Sequence, residues 1–281
     1  MSNIKIICDT MNDLPEKIMD KYDVDILPAT IIFEGKEYKA GVDIDTDDFY
    51  KLLRSSDSIP STSQITYITY KEVFEKYVNE GKTILYMAGS STASGIYQSA
   101  TIAKNDIDGD VHIFDTYSLS VGGGMLIYEA AKMVEQGHDI EYIINKLEEY
   151  KNKVNVYFSV DSLDYLHKGG RISGTKAAIG TLLNIKPILK IEGGLVNQVS
   201  QVRGTKKIIP KLIEELKSQI GEDFSGKDIY VGYGDDLELR DKFIEIAKKE
   251  LSPKNVHTFR IGSCVACHSG PSVFGLACLD K

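Results

Sequence analysis

The chain has 281 residues, of which 42% are hydrophobic and 26% are charged, as in an ordinary folded globular protein. This length predicts one large domain or two modest ones. No stretch reaches the ~18 consecutive apolar residues that a membrane helix needs, and the start lacks a basic segment followed by an apolar run. We therefore expect a cytoplasmic protein without a transmembrane segment.

The formal net charge of −8 argues against a general nucleic-acid binder, because it supplies no global positive field for phosphates. Residues 166–211 nevertheless carry nine Lys or Arg and one acid, Glu192, so this basic island is +8. It indicates either a solvated surface or a face for a phosphorylated ligand or an acidic partner. The four cysteines are too few for a disulfide framework, so we expect free thiols.

The first half of the chain alternates short β-branched apolar runs with longer amphipathic runs. The predicted strand and helix pairs are 4–8 with 15–22, 83–88 with 93–104, and 111–114 with 122–136. This alternation predicts parallel α/β structure. One more amphipathic helix over 139–150 completes a Rossmann-like N-terminal domain, which we predict over residues 1–152.

From residue 153 onward the order of strands and helices is mixed. Strands are predicted over 154–160, 188–191, 195–202, 228–232 and 256–261, and helices over 205–220 and 237–250. The turn Glu192-Gly193-Gly194 separates two of these strands and indicates a hairpin. We therefore predict a C-terminal mixed α/β domain over residues 153–281.

Two hydroxyl-rich segments are candidate anion sites. Gly89-Ser90-Ser91-Thr92-Ala93-Ser94-Gly95 follows a predicted strand and opens a helix, where free amides and the positive dipole end favour a carboxylate or phosphate. Pro60-Ser61-Thr62-Ser63-Gln64 precedes a predicted helix over 67–79. Ordinary helix capping explains either segment about as well. Together they suggest one shared anion site.

A third candidate is the segment from Leu166 to Gly174, which combines two glycines with Lys168 and Arg171. Paired glycines let the backbone approach a ligand closely, and the planar guanidinium of Arg171 can hold two anionic oxygens. A simple turn is the alternative, although Lys, Arg and Ser together favour contact with phosphate. Neither this segment nor Gly122-Gly123-Gly124 has the spacing of a nucleotide-binding loop.

The segment Cys264-Val265-Ala266-Cys267-His268 formally matches the CxxCH pattern of haem attachment. Such attachment belongs to exported proteins, and no second ligand pair suits zinc, so we predict neither haem nor a metal. We interpret His268 as a histidine beside a turn. A hydrolase that uses Ser94, His268 and an aspartate is disfavoured because the GxSxG elbow is missing.

Taken in order, the motifs resemble the DegV family over nearly the whole chain. The residues that carry the resemblance are Asp9-Thr10, Asp13-Leu14-Pro15, 60–64, Ser90-Ser91, 94–100, Asp115-Thr116, 168–173, 184–187 and 268–271. The chain departs from the usual family pattern at Ser269 and Ser272, where Thr and Gly are more common, and at Gly122-Gly123-Gly124.

The resemblance implies one long-chain fatty acid between two domains, with its tail in an apolar tunnel and its carboxylate at the polar motifs. Thr62 and Ser94 match the positions that hold the carboxylate and His268 matches a histidine nearby, while Ser63 and Ser91 belong to the same two segments. Arg171 and Arg203 match basic positions linked to an acyl-phosphate headgroup or a partner kinase, and Lys168, in the same segment as Arg171, is a candidate for the same role.

In that system the family protein presents its fatty acid to a separate fatty acid kinase, which phosphorylates the carboxylate with ATP. The implied role is therefore a carrier with no catalytic residue, metal or cofactor of its own. Two other functions stay open. The first is a stand-alone enzyme that acts on a small phosphate or carboxylate metabolite through Arg171 and His268. The second is an interaction protein whose pocket is only structural.

Overall fold

The computed structural model describes residues 3–173 and 184–281. The strands of the first half are β1 (Ile4–Asp9), β2 (Asp25–Leu27), β3 (Thr30–Phe33), β4 (Lys36–Lys39), β5 (Ser61–Ser63), β6 (Thr83–Ala88) and β7 (Val111–Asp115). Its helices are α1 (Glu16–Tyr22), α2 (Thr46–Ser55), α3 (Tyr67–Asn79), α4 (Ile96–Asn105), α5 (Val121–Glu135) and α6 (Ile140–Lys151).

The second half contains six strands, four helices and one short 3-10 turn in its described part. The strands are β8 (Val154–Ser159), β9 (Ile185–Glu192), β10 (Leu195–Arg203), β11 (Asp228–Tyr233), β12 (Asn255–Arg260) and β13 (Phe274–Leu279). The helices are α7 (Asp164–Gly169), α8 (Ile208–Ile220), α9 (Leu237–Leu251) and α10 (Ser263–Ser269), and the 3-10 turn is Thr205–Lys207.

Three sheets form the framework. A parallel sheet has the order β2-β1-β6-β7, a small antiparallel sheet has the order β4-β3-β5, and a mixed sheet has the order β10-β9-β8-β13-β11-β12. The predicted mixed α/β fold is confirmed, as is the hairpin at Gly193-Gly194, where β9 and β10 pair antiparallel. In the described chain, every strand of the first two sheets precedes residue 152 and every strand of the third follows it.

Helix α5 lies at the centre of the molecule, because it contacts β1 and β6 of the parallel sheet and β8, β11 and β13 of the mixed sheet. The helix is buried on nearly all sides. Its own apolar and small residues therefore occupy most of its faces instead of forming one stripe. One apolar cluster consequently runs through both halves, from Cys8 and Leu85 to Phe158 and Phe259.

Two local structures differ from the interpretation of the sequence. The hydroxyl run at 61–63 does not cap a helix; it forms β5, which pairs with β3, and Thr66 caps α3 instead. Helix α4 begins at Ile96 rather than at Ala93, because residues 91–94 form a turn. His268 lies in the last turn of α10, which Gly270 ends directly afterwards, so it stands beside a turn as interpreted from the sequence.

Gly124 shows how closely the halves pack. A Cβ added there would meet the Asp13 carbonyl oxygen and would lie 2.8 Å from Cε2 of Phe259. Alanine normally stabilises a helix interior by ~1 kcal/mol relative to glycine. We expect Gly124→Ala instead to lower the free energy of unfolding by about 1–3 kcal/mol, because backbone has to move.

Urea unfolding followed by circular dichroism measures this effect. Gly226→Ala is the matched control, since a Cβ at Gly226 meets no atom within 4 Å. Equal unfolding midpoints for Gly124→Ala and the unchanged protein would contradict the close packing of α5.

Candidate functional site

A cavity of about 380 Å³ lies where the two halves meet. Its apolar lining residues are Met11, Ala29, Ile96, Leu119, Val121, Val156, Phe158, Leu166, Ile191, Val196, Tyr230, Ile261, Val265, Val273, Leu276 and Ala277. An apolar cavity of about 150 Å³ holds one benzene molecule with its six carbons. On that scale the cavity accommodates about 15 carbon atoms, which corresponds to a long chain rather than a small metabolite.

The mixed sheet supplies one wall of this cavity through residues that lie side by side on adjacent strands. Phe158 of β8 lies opposite Gly275 of β13, and Gly275 lies opposite Gly232 of β11. One step along, Ala277 lies between Val156 and Tyr230. Glycine and alanine in the middle of a sheet leave space that larger side chains would fill, so the cavity follows from small residues in register.

Most polar groups of the lining cluster together. Six polar residues form this cluster, Thr62, Ser63, Gln64, Ser94, Arg171 and His268, while Ser120 and Ser269 also line the cavity but bond to Asp13 and to the Val265 carbonyl. Thr62 Oγ1 lies 2.9 Å from His268 Nε2, and Arg171 Nε donates to the Ala93 carbonyl at 3.1 Å, next to Ser94. The cavity is therefore amphipathic, with a polar end formed by both predicted hydroxyl segments and by the Gly-Gly-Arg segment.

Strand pairing positions Thr62, and a turn positions Ser94. Thr62 lies opposite Ile31 in the pairing of β5 with β3, so its backbone is held by the small sheet. The Ser94 amide donates to the Ser90 carbonyl at 3.1 Å, while Ser94 Oγ accepts from the Ile96 amide at 3.3 Å. The Ser94 hydroxyl thus accepts a hydrogen bond from the first turn of α4, and its own proton is available to donate to a ligand.

Helix α10 holds His268 against α7. The Nδ1 atom of His268 is buried and has no hydrogen-bond partner. Gly169 makes this contact possible, because a Cβ there would collide with the His268 ring. Burial, and secondly the positive charge of Arg171, lower the pKa of His268 to about 4. The imidazole is therefore neutral at neutral pH.

Arg171 follows the end of α7, where Gly170 adopts a left-handed conformation with φ 68°. The side chain donates to the carbonyls of Ala93 and Gly169, which orients the guanidinium. Arg171 also lines a shallow outer pocket with Ser91, Thr92, Ala93, Ser94, Gly95, Tyr97 and Gln98. It therefore places positive charge both at the polar end of the cavity and on the adjoining surface.

The structure does not bring every predicted residue to the cavity. Ser91 is exposed and belongs only to the outer pocket, where its amide donates to Asp115 Oδ1 at 3.2 Å. Lys168 is exposed and donates to the Ile59 carbonyl at 3.1 Å. Arg203 is exposed at the end of β10 and is not among the residues that line the cavity.

The basic island is partly neutralised. Lys186 pairs with Asp161 at 2.6 Å, Lys190 with Glu192 at 3.1 Å, and Lys211 with Glu214 at 2.6 Å. Gly174 and Lys176 lie outside the described residues. Among the predicted basic residues that the structure describes, Arg171 is the one on the cavity wall.

Sequence reasoning missed several residues of the lining, among them Gln64, Ser120 and Cys264. The Gln64 side chain lies over Gly95, where an added Cβ would meet its amide oxygen. Gln64 stood within a predicted motif and could have been included. The apolar wall had no comparable signal, since residues that face a cavity and residues that face a core look the same in sequence.

We expect His268 to titrate well below the ordinary histidine pKa of about 6.5, because its burial disfavours the imidazolium. NMR titration of the ring nitrogens measures this pKa directly. Arg171→Gln should raise it by removing a nearby positive charge, and the urea-unfolded chain serves as the reference. An ordinary pKa for His268 in the folded protein would contradict the buried, neutral imidazole.

In the described parts of the chain, no helix combines the length and the apolar character needed to cross a bilayer.

Residues 3–281 match a family described as uncharacterised proteins of the DegV family. A DegV domain-containing protein of Caldanaerobacter subterraneus is 34% identical over an alignment of 282 positions, which covers 100% of this chain and 100% of that protein.

Two solved structures are similar over almost their whole length. A DegV lipid-binding protein from Thermotoga maritima has a TM-score of 0.91 and 30% identity, covering 99% of this chain and 98% of that one. A stearic acid-binding protein from Eubacterium ventriosum has a TM-score of 0.93 and 29% identity, covering 98% of each chain. With the match over residues 3–281, these similarities establish that the chain belongs to the DegV family.

Proposed function

We propose that this chain binds one long-chain fatty acid in the cavity and presents its carboxylate to a separate fatty acid kinase. The observation that carries the proposal is the amphipathic cavity, which combines room for about 15 carbons with a cluster of hydroxyl, imidazole and guanidinium groups. The lipid-binding relative from Thermotoga maritima and the stearic acid-binding relative from Eubacterium ventriosum support the choice of ligand.

The apolar wall supplies affinity. Burial of ~10 methylene groups contributes roughly 8 kcal/mol before the cost of ordering the chain. Because this contribution does not depend on a precise direction, the acyl tail alone cannot orient the headgroup. The polar end therefore has the separate task of fixing where the carboxylate lies.

A carboxylate only accepts hydrogen bonds, which dictates the direction of the bonds at the polar end. Thr62 can donate its hydroxyl proton to the carboxylate only if it accepts from His268, so His268 carries its proton on Nε2. This assignment leaves Nδ1 as the bare nitrogen, which is buried and has no hydrogen-bond partner. Ser94 adds a second hydroxyl, and Ser63 and Arg171 complete the headgroup site.

The polar end is accessible from outside, because Ser63, Gln64 and Gly95 are exposed and the outer pocket adjoins it at Ser94 and Arg171. This access supports transfer of a phosphoryl group by a partner rather than by this chain. Arg203 and Lys168, both exposed, are then candidates for contact with the kinase or with the acyl phosphate. Since the kinase uses ATP, the proposed location is the cytoplasm.

The proposed carrier has no catalytic residue or cofactor of its own. We also infer that residues 1–152 and 153–281 are two domains, with the ligand between them. The placement of the three sheets on either side of residue 152, and the contribution of both halves to the lining, support this division.

We expect mass spectrometry of an organic extract from the purified protein to find close to one long-chain fatty acid per chain. Thr62→Ala and Ser94→Ala should each weaken binding by about tenfold, because each removes one donor to a charged group. Ser91→Ala is the matched control, since Ser91 lies in the same loop but outside the cavity. No fatty acid after purification and after loading with added oleate would rule the proposal out.

A second prediction concerns catalysis. The chain loaded with fatty acid should hydrolyse no ATP alone, and acyl phosphate should form only when a fatty acid kinase is added. Detection of acyl phosphate by hydroxylamine trapping measures this dependence. Turnover of a small phosphate or carboxylate metabolite by the isolated chain would instead favour a stand-alone enzyme that acts through Arg171 and His268.

A further inference from the structure

Asp13 is a buried carboxylate with no part in the proposed headgroup site. It lies between β1 and α1, in the Asp13-Leu14-Pro15 motif. Ser120 donates its hydroxyl to Asp13 Oδ2 at 2.5 Å, and the Gly262 amide donates to Asp13 Oδ1 at 2.8 Å. Both carboxylate oxygens are therefore used, each by a different part of the fold.

The two donors stand at the starts of two helices that form the cavity wall. Ser120 immediately precedes α5 and itself lines the cavity. Gly262 immediately precedes α10, which carries Cys264 and His268 into the lining. Ser120 belongs to the first half of the chain and Gly262 to the second. One buried side chain thus joins both halves directly beside the proposed ligand.

We propose that Asp13 is a positioning residue that holds the starts of α5 and α10 together and keeps the two halves closed around the cavity. Opening at this point separates the walls and hydrates the carboxylate. The consequence for a ligand rests on the proposed function: when the cavity holds a fatty acid, this opening is the step that lets it enter or leave.

The surroundings of Asp13 make it sensitive to pH. Burial raises its pKa to about 7, although the hydrogen bonds from Ser120 and Gly262 oppose this rise. Tyr50 of α2 faces Asp13 and also faces Arg260, which pairs with Asp47. Cys264 of α10 faces Asp13, Asp9 and Arg171. Burial raises the pKa of Cys264 to about 12 and raises that of Tyr50, so both stay neutral near pH 7.

The direction of the pH effect follows from linkage. When hydrated, Asp13 returns toward its ordinary pKa of about 3.9, so the open form loses its proton at a lower pH than the closed form. Opening therefore becomes easier as the pH rises from about 4 to about 7, by up to about tenfold per pH unit, and then levels off.

His268 has the opposite effect if the same opening hydrates it. Its pKa is lowered to about 4 in the closed form, so acid favours opening between about pH 4 and about pH 6.5. The contribution of Asp13 is isolated by comparing the unchanged protein with Asp13→Asn, because His268 is common to both. Asparagine keeps the shape and an acceptor for the Gly262 amide, but it does not titrate.

Amide hydrogen exchange measures opening without any ligand. Peptides that cover the starts of α5 and α10 are compared with peptides from α8, after correction for the intrinsic exchange rate. Asp13→Ala should lower the protection of both starts by about tenfold or more. The opening constant of the unchanged protein is divided by that of Asp13→Asn at each pH. This ratio should rise about tenfold or more between about pH 5.5 and about pH 7.5.

Asp139→Asn is the matched control, because Asp139 also accepts from a backbone amide, at the start of α6, but is exposed. Unchanged protection in Asp13→Ala, or a ratio independent of pH, would overturn the proposal. Dissociation of bound cis-parinaric acid into excess oleate should follow the same pH profile. If protection depends on Asp13 but no fatty acid binds, the proposed function fails while the positioning role stands.

Discussion

The cavity is the constraint on which the rest of the structure depends. Protein interiors are packed as densely as organic crystals, so a hollow has to be held open by its walls. At ~24 cal/mol per Å³, an unfilled apolar cavity of about 380 Å³ would cost on the order of 9 kcal/mol, which is comparable with the whole stability of a domain. An acyl chain that fills the cavity would restore these lost contacts, so binding of the proposed ligand would be coupled to folding stability.

Contacts outside the cavity fix how the two halves lie against each other. Helix α2 ties the halves through Arg54 with Asp235, and through Tyr50, whose hydroxyl donates to the Ile261 carbonyl at 3.1 Å. The Tyr50 bond and the bond from the Gly262 amide to Asp13 converge on the segment that connects β12 with α10. That segment carries part of the apolar wall and leads into the helix of His268. Closure of the halves and formation of the headgroup site are therefore one event.

The order of strands and helices was predictable because period-2 and period-3.6 patterns report local burial. Short elements such as β5 and α10 were missed or misassigned, because three hydroxyl residues or a CxxCH run carry no such period. At the site, the hydroxyl segments that contain Thr62 and Ser94 and the Gly-Gly-Arg segment that contains Arg171 were predictable as polar clusters, whereas His268 was predicted only through the family resemblance. Residues such as Gly232 and Gly275 were not, because they face the cavity only through pairing between strands distant in sequence.

The chemistry of the polar end suits a ligand that is handed over. Arg171 is only half-buried and already donates to the carbonyls of Ala93 and Gly169, so it does not form the fully buried ion pair that would hold a carboxylate tightly and penalise any change of its charge. Hydroxyls of Thr62 and Ser94 contribute only about 1.5 kcal/mol each beyond the bonds that water offers, and they can rotate to follow new acceptor oxygens. The neutral His268 orients Thr62 without adding charge. In the proposed carrier, affinity thus comes from the acyl tail, and the carboxylate is free to become an acyl phosphate.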